Sequence, residues 1–157
     1  MDLCGPSRKE GTGKQNYFML IINDYSRLTW VSFLKEKSEA FEKFKMFKAL
    51  TKNQTGKILK AVRSNRGVEF SSWNFKEFCD KHGIKREYTI PRTPQQNGVV
   101  ERQNRSVQQM ARSMMNERNI PQTYWVEAIH TAVHILDRKS TRLNSSHNGQ
   151  SRMPSSA

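Results

Sequence analysis

The sequence predicts an α/β layered domain built on a mixed sheet, and three observations carry that prediction. Two β-branched and aromatic runs, NYFMLIIN (16–23) and LTWVSFL (28–34), are joined by DYSR and read as neighbouring antiparallel strands. Beyond them, short strand patterns alternate with helical ones, which is the order of a layered α/β fold. The 157 residues suffice for one domain with a core, and two would be unusual.

Taken in order, SEAFEKFKMFKAL (38–50) places Ala40, Phe41, Phe44, Phe47 and Leu50 at near-helical spacing. Ser38 is its expected cap, and Gly56 falls in the loop that follows. KILKAVRS (57–64) reads as a short strand, and RGVEF (66–70) turns out of it. SSWNFKEFCDKHG (71–83) is a compact helix ending near Gly83, and IKREYTI (84–90) is the next strand. Pro91 and Pro94 then enforce a loop, and helix resumes near Asn97 with Val100, Val107, Met110, Ala111 and Met114 on one side. PQTYWVEAIHTAVHIL (121–136) is a last amphipathic helix with Pro121 near its first turn. Its expected inner face is Trp125, Ala128, Ile129, Ala132 and Leu136, and all three tryptophans, Trp30, Trp73 and Trp125, fall in apolar patterns that suit a core. No internal repeat is apparent.

Composition narrows the partners. No apolar run approaches 18 residues, so no membrane span is expected, and MDLCGPSRKE does not have the form of a signal peptide. Cys4 and Cys79 stand far apart without metal-type spacing, which fits a reduced intracellular compartment. The net charge of +13 points to a polyanion, with nucleic acid the leading candidate.

The final stretch, DRKSTRLNSSHNGQSRMPSSA (137–157), has no apolar period. DRKSTRLNSSH is also what a common short-read sequencing adapter encodes when translated, and SRMPSSA resembles that adapter's far end. Residues 137–157 are therefore expected to be a non-native, disordered, adapter-derived tail, with the domain confined to 1–136. The tail holds four Lys/Arg and one Asp, so without it the charge falls from +13 to +10, still basic.

TPQQNGVVERQNR (93–105) raises the question of function. One carboxylate, Glu101, stands among Gln, Asn and Arg where a loop becomes a helix. Two readings are open: a surface charge paired with Arg105, worth a few tenths of a kcal/mol, or a ligand for something positive. Residues 101, 105, 108 and 112 share one helical stripe, opposite Val100, Val107, Ala111 and Met114.

The chain resembles the integrase catalytic core of Ty1/copia-type retrotransposons. DLCGP (2–6), NDYSRLTWVSFLKEKSEAF (23–41), RSNRGVEF (63–70), TPQQNGVVERQNR (93–105) and YWVEAIHTAVHIL (124–136) match that family's blocks in order. The resemblance implies an RNase H-like fold, a five-stranded mixed sheet flanked by helices. It also implies an Asp, Asp, Glu triad holding two Mg2+ (or Mn2+) ions for DNA integration by strand transfer. The implied partners are element-end and target DNA and further copies of the chain, in the nucleus for the parent integrase. Because Met1 directly precedes Asp2, the first strand is expected to be truncated.

Position by position, Asp2 matches the first catalytic aspartate and Glu101 the glutamate. Asn65 falls on the second aspartate, with the family's spacing of 35 residues between it and Glu101. One of three carboxylates is thus an amide. Two magnesium ions about 3.5–4 Å apart repel, and hard anionic oxygens must offset that repulsion. An amide oxygen brings no charge, so the chain is expected to be catalytically dead, with Asp2 and Glu101 as the remaining metal ligands. Val68, where the family has glycine, would be strained if the turn needed a positive φ. Glu69 could substitute for Asn65 after a loop rearrangement. The expected DNA contacts are Arg105 and Arg112 beside Glu101, Gln95 and Gln96 in the proline-bounded loop, and Arg92 and Arg102 nearby. Arg63 and Arg66 belong to the same basic group, as solvated charges or as contacts.

Other signals weigh less. His130 and His134, four apart with Glu127 close by, lack HExxH order, and the pair Cys79 and His82 suits a structural role. Asp24 lies outside the matched triad. The alternatives to an inactive integration domain are a nucleic-acid-binding remnant and a fragment without function.

Overall fold

The strand on which the molecule is built is the second, because both of its faces are apolar. In this computed structural model, which describes residues 1–90 and 98–151, Tyr17–Ile22 forms β2 and buries four consecutive side chains. Side chains alternate across a strand, so Met19 and Ile21 face one way and Phe18 and Leu20 the other. β2 pairs antiparallel with β1 (Asp2–Cys4), Asp2 opposite Leu20, and with β3 (Thr29–Leu34), Tyr17 opposite Leu34.

α1 (Ala40–Thr55) lies on the Met19 face. It is entered through a 3-10 turn at Lys37–Glu39. The Glu39 carboxylate accepts from the backbone N–H of Lys35 at 2.6 Å and of Glu36 at 3.3 Å, so Glu39 rather than Ser38 ties down this end. At the other end Gly56 takes φ 68° and donates its N–H to Lys52 O, the left-handed stop that a glycine makes without strain. The parallel pair β4 (Ala61–Ser64) and β5 (Lys85–Tyr88) is connected through α2 (Val68–Ser71) and α3 (Trp73–Lys81). Ser72 caps α3, its hydroxyl accepting from Phe75 N at 3.3 Å. Phe44, Phe70, Phe75, Cys79 and Ile84 close this first core with Met19 and Ile21. The Phe44 and Phe75 ring centroids lie 4.9 Å apart.

α4 (Gly98–Glu117) and α5 (Trp125–Ser151) cover the opposite face. Val100, Val107, Ala111 and Met115 of α4 meet Trp125, Ile129, Ala132 and Val133 of α5 over Phe18 and Leu20. Ala128 and Leu136, expected inside, are half-buried.

The expected single five-stranded mixed sheet is met only in part. Among the described residues five strands are present, but as a three-stranded antiparallel ladder, β1-β2-β3, and a two-stranded parallel one, β4-β5. The two come together where the Met1 ammonium donates to Arg63 O at 2.6 Å. β1 has three residues, all of them paired with β2. Burial lowers the pKa of that ammonium to about 6.

Two further expectations are corrected. Trp73 is 69% exposed at the first turn of α3 and takes no part in the core, whereas Trp125 is buried and Trp30 half-buried. RGVEF turns out of β4 as a short helix, and Val68, expected to be strained there, opens it without a positive φ. The last helix runs from Trp125 to Ser151 and so passes Leu136, the boundary after which the tail is expected. Just past that boundary, the Asp137 carboxylate accepts from Thr29 N at 3.1 Å.

Candidate functional site

Asp2 begins β1, and Glu101 stands in the first turn of α4. The two carboxylates line one open cleft of about 290 Å³, together with Asn104, Arg105, Gln108, Gln109 and Arg112. The stripe 101, 105, 108, 112 thus faces Asp2 as one wall. Helical geometry puts these residues on one line, and the burial of Val100, Val107 and Ala111 on the other side turns that line outward.

A chain of amides fixes the wall. Asn104 Nδ2 donates to Asp2 Oδ2 at 2.9 Å, and Gln108 Nε2 donates to Asn104 Oδ1 at 2.9 Å. Arg112 Nη2 in turn donates to Gln108 Oε1 at 3.3 Å. Asn104 also donates to Cys4 Sγ, whose thiol donates weakly to Asp2 Oδ2 at 3.8 Å. Burial, with the Asp2 charge beside it, pushes the Cys4 thiol up to about 12, so it stays protonated next to that carboxylate. Among the described residues Glu101 forms no ion pair with Arg105.

Asn65 follows β4 and is half-buried, but it does not line this cleft. Its side-chain oxygen accepts from Gly67 N at 2.9 Å, closing a local Asx turn. Glu69 reaches the same spot: a Cβ on Gly67 would stand 2.5 Å from Glu69 Oε1 and 2.9 Å from Asn65 Oδ1. Among the described residues no group of three or more His, Cys, Asp or Glu side chains is placed to hold a metal. Two carboxylates therefore share one cleft, while the Asn65 amide oxygen is turned to its own backbone.

The remaining expected contacts divide. Arg105 and Arg112 line the cleft, while Arg102 is exposed and lies off it, its guanidinium 3.7 Å from where a Cβ on Gly98 would be. Arg92, Gln95 and Gln96 lie outside the described residues. Arg63 is tied to Glu87 at 3.0 Å and approaches Asp24 at 3.9 Å, and Arg66 lies over the Tyr88 ring at 5.8 Å. His130 and His134 are both exposed. Asn104 is a site residue that the sequence reading does not single out. The signal was available, since it is the one polar side chain on the stripe of Val100, Val107, Ala111 and Met115.

The fold has counterparts among solved structures. It matches the simian T-cell lymphotropic virus intasome, solved in complex with PP2A regulatory subunit B56 gamma, with a TM-score of 0.60 at 18% identity, over 84% of this chain and 46% of that one. It also matches the HTLV-2 integrase catalytic core domain, solved with magnesium in a trimeric form, with a TM-score of 0.53 at 22% identity, over 84% of this chain and 81% of that one. The architecture is thus that of a retroviral integrase catalytic core.

Sequence relatives make the identification more particular. The chain is 44% identical over 137 residues to the retrovirus-related Pol polyprotein from transposon TNT 1-94 of Nicotiana tabacum, covering 87% of this chain and 10% of that polyprotein. It is 33% identical over 128 residues to the corresponding polyprotein from transposon RE1 of Arabidopsis thaliana, covering 81% and 8%. A truncated Ty1-A Gag-Pol polyprotein of Saccharomyces cerevisiae is 27% identical over 130 residues, covering 82% and 11%. No family model matches. Over most of its length the chain is a homologue of Ty1/copia-type Pol polyproteins, and it spans about a tenth of the length of these curated relatives. Among the described residues no helix is long and apolar enough to cross a membrane.

Proposed function

We propose that this chain is a retrotransposon integrase core that retains the nucleic-acid face of its cleft and has lost strand transfer. The observation that carries the reading is the meeting of Asp2 and Glu101, from opposite ends of the fold, in one cleft walled by Arg105 and Arg112. Two carboxylates suit a single magnesium completed by phosphate oxygens, since magnesium is usually held by one or two carboxylates plus substrate. When bound, such an ion polarises a phosphoryl oxygen and offsets its charge. The chain's own groups then have separable roles. Asn104 orients Asp2, and the two arginines hold the phosphodiester. Arg112 is itself set by Gln108.

The Asn65 amide adds no charge and already accepts from Gly67, so the pair of ions implied by the family has two anionic ligands where three are required. By this reading the partners are DNA and further copies of the chain, and the parent protein works in the nucleus. The experiment compares the chain with its Asn65→Asp variant in a nicking and strand-transfer assay with magnesium or manganese. The unaltered chain should give no product. Clear turnover by it would overturn the proposed loss, and Glu69→Gln would then test whether Glu69 supplies the missing charge.

A further inference from the structure

A larger groove of about 820 Å³ lies next to the Asp2–Glu101 cleft and shares Gln108 and Arg112 with it. Its other wall is the β1–β2 loop, which brings in Arg8 and Lys9, while Phe18 and Trp125 lie beneath. Among the described residues three cations, Arg8, Lys9 and Arg112, and no carboxylate line this groove, so its charge suits an anionic partner.

The loop is held while its cations stay exposed. Ser7 N donates to Asn16 O at 2.8 Å, Gly11 N to Gln15 O at 2.9 Å and Lys14 N to Gly11 O at 2.8 Å. The Thr12 hydroxyl donates to Glu127 of α5 at 3.3 Å. Gly11 is buried so close to α5 that a Cβ there would stand 2.6 Å from Val126 Cγ2. Between these anchors Arg8 and Lys9 are exposed, and among the described residues neither is ion-paired.

We propose that Arg8 and Lys9 form a second nucleic-acid subsite, holding the phosphodiester backbone of DNA as it leaves the Asp2–Glu101 cleft past Arg112. The inference rests on the reading of that cleft as a DNA site, and it adds the path the strand takes. Continuity favours DNA over an acidic peptide, because cleft and groove share a wall and a long polyanion can span both. A fixed loop bearing free cations also binds with little ordering cost.

The test is the salt dependence of duplex DNA binding, followed by fluorescence anisotropy for the unaltered chain, Arg8→Ala/Lys9→Ala and Arg105→Ala. Each phosphate contact contributes about 0.9 to the slope of log affinity against log salt, so the double variant should lose about 2. Its thermal unfolding should not change, as both side chains are exposed. An unchanged slope in the double variant with a reduced slope in Arg105→Ala overturns the groove and leaves the cleft reading standing. Reduced slopes in both variants support the continuous path, and a reduced slope in the double variant alone overturns it, since the strand would then bypass the cleft. A flat salt response of the unaltered chain overturns both. Displacement of the DNA by polyglutamate at equal charge concentration would overturn the choice of nucleic acid as occupant.

Discussion

Asn104 and Asp2, 102 positions apart, are joined by a 2.9 Å hydrogen bond that fixes α4 against the first strand. A buried amide spends its donors on the Asp2 carboxylate and Cys4, and its oxygen on Gln108. Asn104→Ala should therefore destabilise the fold by about 2 kcal/mol, the range for a lost hydrogen bond to a charged group, as a lower urea midpoint. Asn104→Asp should be worse near neutral pH and recover on acidification, because a second carboxylate beside Asp2 must be protonated to be tolerated.

Phe44 has no exposed surface and packs against Phe47, Phe75 and Phe78. Phe44→Ala should cost about 3–5 kcal/mol in chemical denaturation, transfer and cavity together. On the same helix Leu50 is 43% exposed, and Leu50→Ala should cost far less.

Both thiols are shifted upward by burial, Cys4 to about 12. A protonated thiol is a poor nucleophile, so neither cysteine should react with iodoacetamide at pH 8 in the folded chain. Both should react once denaturant is added, as read by intact mass.

Glu39 is held below the usual carboxylate range by the backbone N–H groups of Lys35 and Glu36. A depressed folded pKa means stability present above the unfolded pKa of about 4.3 and lost as pH falls through the folded value. Glu39→Gln should flatten that part of the stability profile by lowering the midpoint near pH 6 and leaving it nearly as it was at pH 3, in urea midpoints taken across that range.

How much of this was readable without coordinates depends on whether the information is local. The stripe of Glu101, Arg105, Gln108 and Arg112 was readable because 3.6-residue periodicity fixes it. Gly56 and Gly83 marked helix ends for the same reason, each adopting positive φ there. Asn104 was overlooked because its polar type suggested the outer face, although its position lies on the inner one. Trp73 failed in the opposite sense, since its apolar type suggested the core although its position on α3 faces outward, 69% exposed. The meeting of the two ladders runs through the Met1–Arg63 contact, 62 positions apart, which no local pattern encodes. The turn of Asn65 onto Gly67 belongs to the same class, because a match to a family position does not say where an amide will point.

β2 gives the two cores a common wall, Met19 and Ile21 on one side, Phe18 and Leu20 on the other. A one-residue slip of this strand would exchange the two sets, so neither half can rearrange alone. Damage in the phenylalanine cluster should accordingly reach the cleft residues through β2. The molecule should melt as one unit, and loosening at Phe44 should blur the placement of Asp2 before any helix unwinds.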